Sequence, residues 1–169
     1  MEITYTLIRA KRKTISIKIT DNADVVVRAP KFLSKKEIDK FVFSHSEWIA
    51  EKQAVAKRKQ DILSQSSAED LSKITMAKVM PYIEKYQQKM GKGPTSVKIT
   101  SAKKRFGSCS SAGVVCFSKY LALYPDEAIE YVVVHELAHL FEMNHSKRFY
   151  AIIEAHLPDW KDRKNQLKL

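Results

Sequence analysis

Cysteine is scarce in this chain of 169 residues, with Cys109 and Cys116 the two present. That is too few for a disulfide scaffold, and their spacing is not the paired C-x-x-C of a structural zinc site. Both read as reduced thiols beside a pair of strands. No apolar run approaches the roughly 20 residues a membrane-spanning helix needs. The start, Met1-Glu2-Ile3-Thr4-Tyr5, lacks the basic-then-apolar layout of a signal peptide, so a cytoplasmic protein without membrane contact is expected. Also missing are a glycine-rich loop to cradle phosphates, an internal repeat, a low-complexity tail, and a basic motif interleaved with aromatics of the kind that binds nucleic acid. Acidic residues are the remaining deficit: 19 Asp and Glu face 30 Lys and Arg, for a net charge of +11.

What is present fits a globular protein, with 44% hydrophobic residues and length enough for one core or a small domain with an appendage. The charge is uneven: residues 1–60 carry 14 basic against 7 acidic residues, and residues 61–169 carry 16 against 12. Arg9, Lys11, Arg12 and Lys13 gather near an expected turn, and Lys35, Lys36, Lys57, Arg58 and Lys59 lie on expected helices. Such a field attracts nucleic acid, a nucleotide or an acidic peptide, or serves solubility alone.

Residues 3–29 alternate as strands: Ile3 to Ile8, Thr14 to Ile19, and Val25 to Val27 closing at Pro30, with Asp21-Asn22-Ala23-Asp24 as a turn. A three-stranded antiparallel meander follows from that order. Ser34 and Glu37 form a capping-box pattern opening one helix that runs through Trp48 and Ile49 toward Lys59. The polar patch Ser64 to Ser67 marks a boundary, giving an amino-terminal basic domain of residues 1–63 and a second domain of 64–169. A helix between Ala68 and Met90 ends at Gly91, strands follow at 96–101 and 113–117 with Ser108 to Ala112 as a turn, and Pro125 opens a further helix. Two helices close the chain, one beginning after Ser146 and one with Pro158 in its first turn. The class is α+β with long helices.

The stretch that carries chemistry is His135-Glu136-Leu137-Ala138-His139, followed by His145. Residues four apart on a helix are separated by roughly 400° of rotation, so His135 and His139 share one face and can share one cation. Glu136 points aside, placed to act as a general base without being a ligand. An unbroken helix would carry His145 about 15 Å beyond His135, so the helix must stop and turn back. Asn144 tolerates the left-handed conformation such a turn uses, and Ser146 can cap the next helix. Metzincin peptidases share this histidine spacing but have glycine where this chain has Glu142.

Several segments together, Lys104-Arg105-Phe106-Gly107-Ser108-Cys109-Ser110, Tyr131 to Leu140, Asn144-His145-Ser146 with Phe149, Arg12-Lys13-Thr14, Val27 to Pro30 and Trp48-Ile49, resemble the YgjP-like family of zinc metallopeptidases, related to the SprT and WLM groups. The likeness covers almost the whole chain. It implies a zincin-like core, zinc ligands at His135, His139 and His145, and Glu136 as general base. It also implies that the segment from Arg105 to Cys109 borders the active-site cleft, which makes Arg105 and Ser108 candidates for substrate contact. Phe106 stands where the family has tryptophan, keeping an aromatic contact and losing an indole donor.

The expected function is a zinc-dependent hydrolase cleaving amide bonds of a peptide or protein with zinc-activated water. Arg105 is a candidate oxyanion partner, and His156, on a different helix, reads as a packing or surface residue. Two other readings stand beside it. One is a metal-dependent nucleoside triphosphate pyrophosphatase, with Lys103, Lys104 and Arg105 on the phosphates. The other is a nucleic-acid-associated module with a structural metal, against which stands the count of three convincing ligands where structural zinc takes four.

Overall fold

The computed structural model describes residues 3–167. Met1 and Glu2, within the stretch read above for a leader, lie outside them. The chain divides into two compact units, one running to Gln65 and the other starting at Ser66.

The first unit holds β1 (Thr6–Ala10), β2 (Ser16–Ile19), β3 (Val25–Pro30), α1 (Lys35–Ser44) and α2 (Ser46–Gln65). Its sheet corrects the antiparallel meander: the order is β1-β3-β2, with β1 parallel and β2 antiparallel to β3. The reason is burial. β3 is the most apolar strand, with Val25, Val27, Ala29 and Pro30 buried, whereas β1 and β2 are half exposed along their length. The central place goes to the strand that hides both edges. Crossing from β1 to β2 spans two strand spacings, about 10 Å, which the five intervening residues bridge with ease.

Ile38 and Val42 of α1 and Ile49 of α2 pack on β3 to make the core of this unit. Ser34 and Glu37 form the expected capping box. The single long helix is instead two, interrupted at His45. There the Ser44 hydroxyl donates to the Phe41 carbonyl at 2.8 Å, and Nδ1 of His45 lies 2.8 Å from the same oxygen. Side chains satisfying a carbonyl locally compete with the helical ladder and favour a break. Part of the basic cluster is likewise occupied. Arg9 donates to the carbonyls of Lys31 and Leu33, and Arg12 to the hydroxyls of Thr14 and Ser16.

The second unit contains α3 (Ala68–Met90), β4 (Ser96–Thr100), β5 (Gly107–Cys109), β6 (Val114–Ser118), a 3-10 turn (Lys119–Leu123), α4 (Asp126–Ala138), α5 (Lys147–His156) and α6 (Trp160–Asn165). α3 starts at a Ser67 and Asp70 capping box and stops at Gly91, whose φ of 73° is the left-handed closure that glycine adopts without strain. Its sheet repeats the wiring of the first, β4-β6-β5, with β4 parallel and β5 antiparallel to β6. Ser108, read as a turn residue, is in β5 opposite Cys116, so the two free cysteines do lie in a strand pair. Pro158 sits in the turn before α6 rather than within it.

α4 is the centre of this unit. Ten of its thirteen residues are buried, including Tyr131, Val132, Val133 and Val134, as expected of a helix apolar all round. Burying each such valine contributes roughly 1.5–3 kcal/mol relative to exposure. α3, β5, α5 and α6 pack around it, with the fully buried Phe149 of α5 against its last turn. The helix that carries the HExxH residues is thus the best fixed element of the unit.

Candidate metal centre

His135 lies in the last turn of α4 and His139 caps it. Beyond Ala138 the ladder tightens: Leu140 N–H donates to the Leu137 carbonyl, and Phe141 and Glu142 both donate to that of Ala138. The reversal therefore begins at once, and Asn144 keeps a negative φ, which corrects the left-handed turn expected there. Glu142 supports the turn twice. Its carbonyl accepts Nδ1–H of His139 at 3.0 Å, and its carboxylate accepts the Asn144 N–H at 3.4 Å. Ser146 then caps α5 by accepting from Phe149 N–H, as the sequence suggested.

This turn brings the three imidazoles together. One ring nitrogen from each of His135, His139 and His145 lies within 4.8 Å of the others, a group that could hold a metal ion. Nε2 of His145 is 3.1 Å from Nε2 of His135. Phe149, fully buried, is the floor: its ring centroid is 4.9 Å from His135, 4.5 Å from His139 and 4.8 Å from His145. Because a carbonyl can only accept, His139 must carry its proton on Nδ1 and present a bare Nε2. The Tyr131 hydroxyl, 3.4 Å from Nδ1 of His135, can hold that ring in the same tautomer.

Burial sets the charge states. It holds His135 down to about 3, with His139, His145 and Lys164 adding to the effect, and it lowers His139 as well. Both are neutral imidazoles at neutral pH, the form that binds metal. Glu136 is 5% exposed, and burial pushes its carboxyl up to about 8 against the opposing pull of Arg105. Its carboxylate abuts β5 so closely that a Cβ at Gly107 would stand 2.6 Å from Oε1 and 2.7 Å from Cγ. Only glycine fits there.

A cavity of about 440 Å³ opens over His135, Glu136 and His145. Phe106, Gly107, Val132, Tyr131 and Tyr150 form walls, and Arg105, Lys164 and Leu167 complete the lining. Of the residues singled out by sequence, Arg105 is brought to the cavity. Ser108 is not, because alternation along β5 turns its side chain to the sheet face opposite the one Gly107 presents to Glu136. His156 is apart from the cluster, with Nδ1 2.9 Å from the Ile152 carbonyl. Sequence reasoning did not find the roles of Tyr131, Gly107, Lys164 and the Glu142 carbonyl. Only the placement of Gly107 beside a candidate site segment hinted at any of them.

The family model described as YgjP-like, metallopeptidase domain, matches residues 13–76 and 55–169. A comparison with curated proteins gives no match. Among solved structures, the metallopeptidase zymogen abylysin of Pyrococcus abyssi is 23% identical, covering 53% of this chain and 90% of that one at a TM-score of 0.48. The metallopeptidase zymogen jannalysin of Methanocaldococcus jannaschii is 16% identical, covering 53% and 92% at a TM-score of 0.46. With the family pattern running from residue 13 to the last residue, through the histidine cluster and the strand against Glu136, the chain belongs to the YgjP-like family and is a metal-dependent hydrolase of the metallopeptidase class.

Proposed function

We propose that the protein is a zinc metallopeptidase with a zincin-like core, in which His135, His139 and His145 hold the ion and Glu136 is the general base. The observation that carries this reading is the donor set: three imidazole nitrogens within 4.8 Å, two of them kept neutral by burial, beside a buried carboxylate that is not one of the group. Three nitrogen donors suit zinc and leave a fourth position for water or substrate, the pattern of catalytic rather than structural sites. Zinc bound there would supply a Lewis acid, lowering the pKa of a water and polarising a carbonyl.

The chain's own groups do the rest. With a cation held by the three imidazoles favouring its ionised form, Glu136 would accept the proton of the attacking water at its carboxylate and return it to the leaving amine. Gly107 lets β5 close against that carboxylate and keep bulk water from it. β5 is also the edge strand of its sheet. The bonds from Ser118 N–H to the Phe106 carbonyl and from Ser110 N–H to the Val114 carbonyl mark which residues face β6. Gly107 and Cys109 therefore turn their backbone N–H and C=O groups to the open edge, where an extended peptide can pair with them.

The domain reading places the catalytic unit at residues 64–169 and a basic unit at 1–63. The family match favours the peptidase reading over the phosphoanhydride and nucleic-acid readings. Among the described residues, no helix is long and apolar enough to cross a membrane. The test is metal analysis of purified protein together with casein cleavage by wild type and Glu136→Gln. Close to one zinc per chain, with cleavage lost in the variant while zinc stays, supports the reading; zinc-free wild type that still cleaves would overturn it.

A further inference from the structure

Two cations border the cavity without an ion pair among the described residues. Arg105 makes no ion pair or hydrogen bond among the described residues, yet it stands near enough to Glu136 to oppose the effect of its burial. Lys164, half buried on α6, lies 5.7 Å from the Trp160 ring centroid and 6.0 Å from that of Tyr150. Aromatic faces orient an ammonium without neutralising it. Its neighbour Arg163 is used differently, bound to Glu130 at 2.6 Å and to Asp159 at 2.8 Å. On α6, then, one cation is consumed by the fold and the next is left facing the cavity.

Among the described residues, the one carboxylate in the lining is Glu136, which serves the proton transfer. Two cations with no ion pair among the described residues, in a cleft walled by Phe106, Val132 and Leu167, favour a ligand that is anionic at one point and apolar around it. Resting on the peptidase reading above, we propose that Arg105 and Lys164 form a carboxylate-binding subsite, so that the enzyme selects peptides presenting a carboxylate beside the scissile bond. The carboxylate comes from an Asp or Glu side chain or from the free carboxyl terminus of the substrate.

The test measures binding apart from turnover. Fluorescent peptides identical except for Glu, Gln or Lys at one central position, each as free acid and as amide, are titrated into zinc-loaded Glu136→Gln. Glu over Gln, or free acid over amide, is expected to bind roughly five- to tenfold tighter, and which pair shows the ratio tells the side chain from the terminus. Adding Arg105→Glu with Lys164→Glu should turn the preference toward Lys. Equal binding of all peptides overturns the subsite, as does binding of a nucleoside triphosphate with no peptide preference. Cleavage of the same peptides by wild type decides the other question: no cleavage of any peptide overturns the peptidase reading, while the binding ratios still decide this one.

Discussion

Gly107 has no side chain because Glu136 fills the space one would need. With Glu136 only 5% exposed, its carboxylate has little room to retreat. Gly107→Ala should therefore keep zinc and fold but displace the base, lowering kcat on the order of 10²-fold. Zinc stoichiometry and kcat measured together test this, and wild-type turnover in the variant would remove the positioning role. For the ligands, His135→Ala or His139→Ala should lower bound zinc from near one per chain to a small fraction, by metal analysis after dialysis. Full occupancy in both would sink the assignment. The histidines and Glu136 were legible because their spacing lies within one short stretch. Gly107, Tyr131 and Lys164 were not, because no local period reports which strand or helix will fold against that stretch.

Charge states at the same residues give a pH dependence in metal-free protein. His135 is held at about 3 against an ordinary 6.5, so between those values the unfolded chain binds a proton the folded one refuses, and stability rises with pH. Glu136 is raised from 4.5 to about 8, so there the folded chain keeps a proton the unfolded one has lost, and stability falls as pH rises. The two oppose each other from 4.5 to 6.5, leaving a net fall between 6.5 and 8. Urea midpoints of chelator-treated protein at pH 6, 7 and 8 should show that fall in wild type and its absence in Glu136→Gln. A flat wild-type profile would contradict the buried, protonated carboxyl.

At the scale of elements, α4 is held by charge as well as packing. Glu130, 7% exposed, accepts from Lys85 at 2.6 Å and Tyr86 at 2.8 Å, both on α3, and from Arg163 of α6 at 2.6 Å. Burial would raise its carboxyl, but these partners together hold it below its ordinary value. Removing Glu130 leaves the buried Tyr86 hydroxyl without its acceptor, whereas Lys85 is 45% exposed and Arg163 keeps Asp159, so Glu130→Ala should cost about 1–3 kcal/mol in chemical denaturation. A loss below about 0.5 kcal/mol would mean that the network is merely a solvated surface cluster.

The same scale shows what periodicity can and cannot report. The apolar run of α4 and the capping boxes at Ser34 and Ser67 were visible because they are local. Strand neighbours were not. Alternation tells which face of a strand is buried, and it is silent on whether β1 pairs with β2 or crosses to the far side of β3. The break at His45 was hidden for a related reason, since apolar spacing continues through it and only side-chain bonds to the Phe41 carbonyl interrupt the ladder.

For the whole molecule, the net charge of +11 acts at distances the cleft cannot. Long-range attraction raises encounter rates with acidic substrates and is screened over about 10 Å at 0.1 M salt and about 3 Å at 1 M. A contact between Arg105 or Lys164 and a substrate carboxylate is short enough to survive much of that screening. With casein, an acidic unstructured protein, kcat/KM should therefore fall as salt rises from 0.05 to about 0.5 M, while kcat changes little, because salt alters capture rather than the bound complex. A short peptide carrying a single Glu should lose less kcat/KM than casein over the same range and still outperform its Gln counterpart at the upper end. If the Glu and Gln peptides converge at high salt, the preference belongs to the field of the whole surface. If casein cleavage ignores salt altogether, the basic surface takes no part in substrate capture.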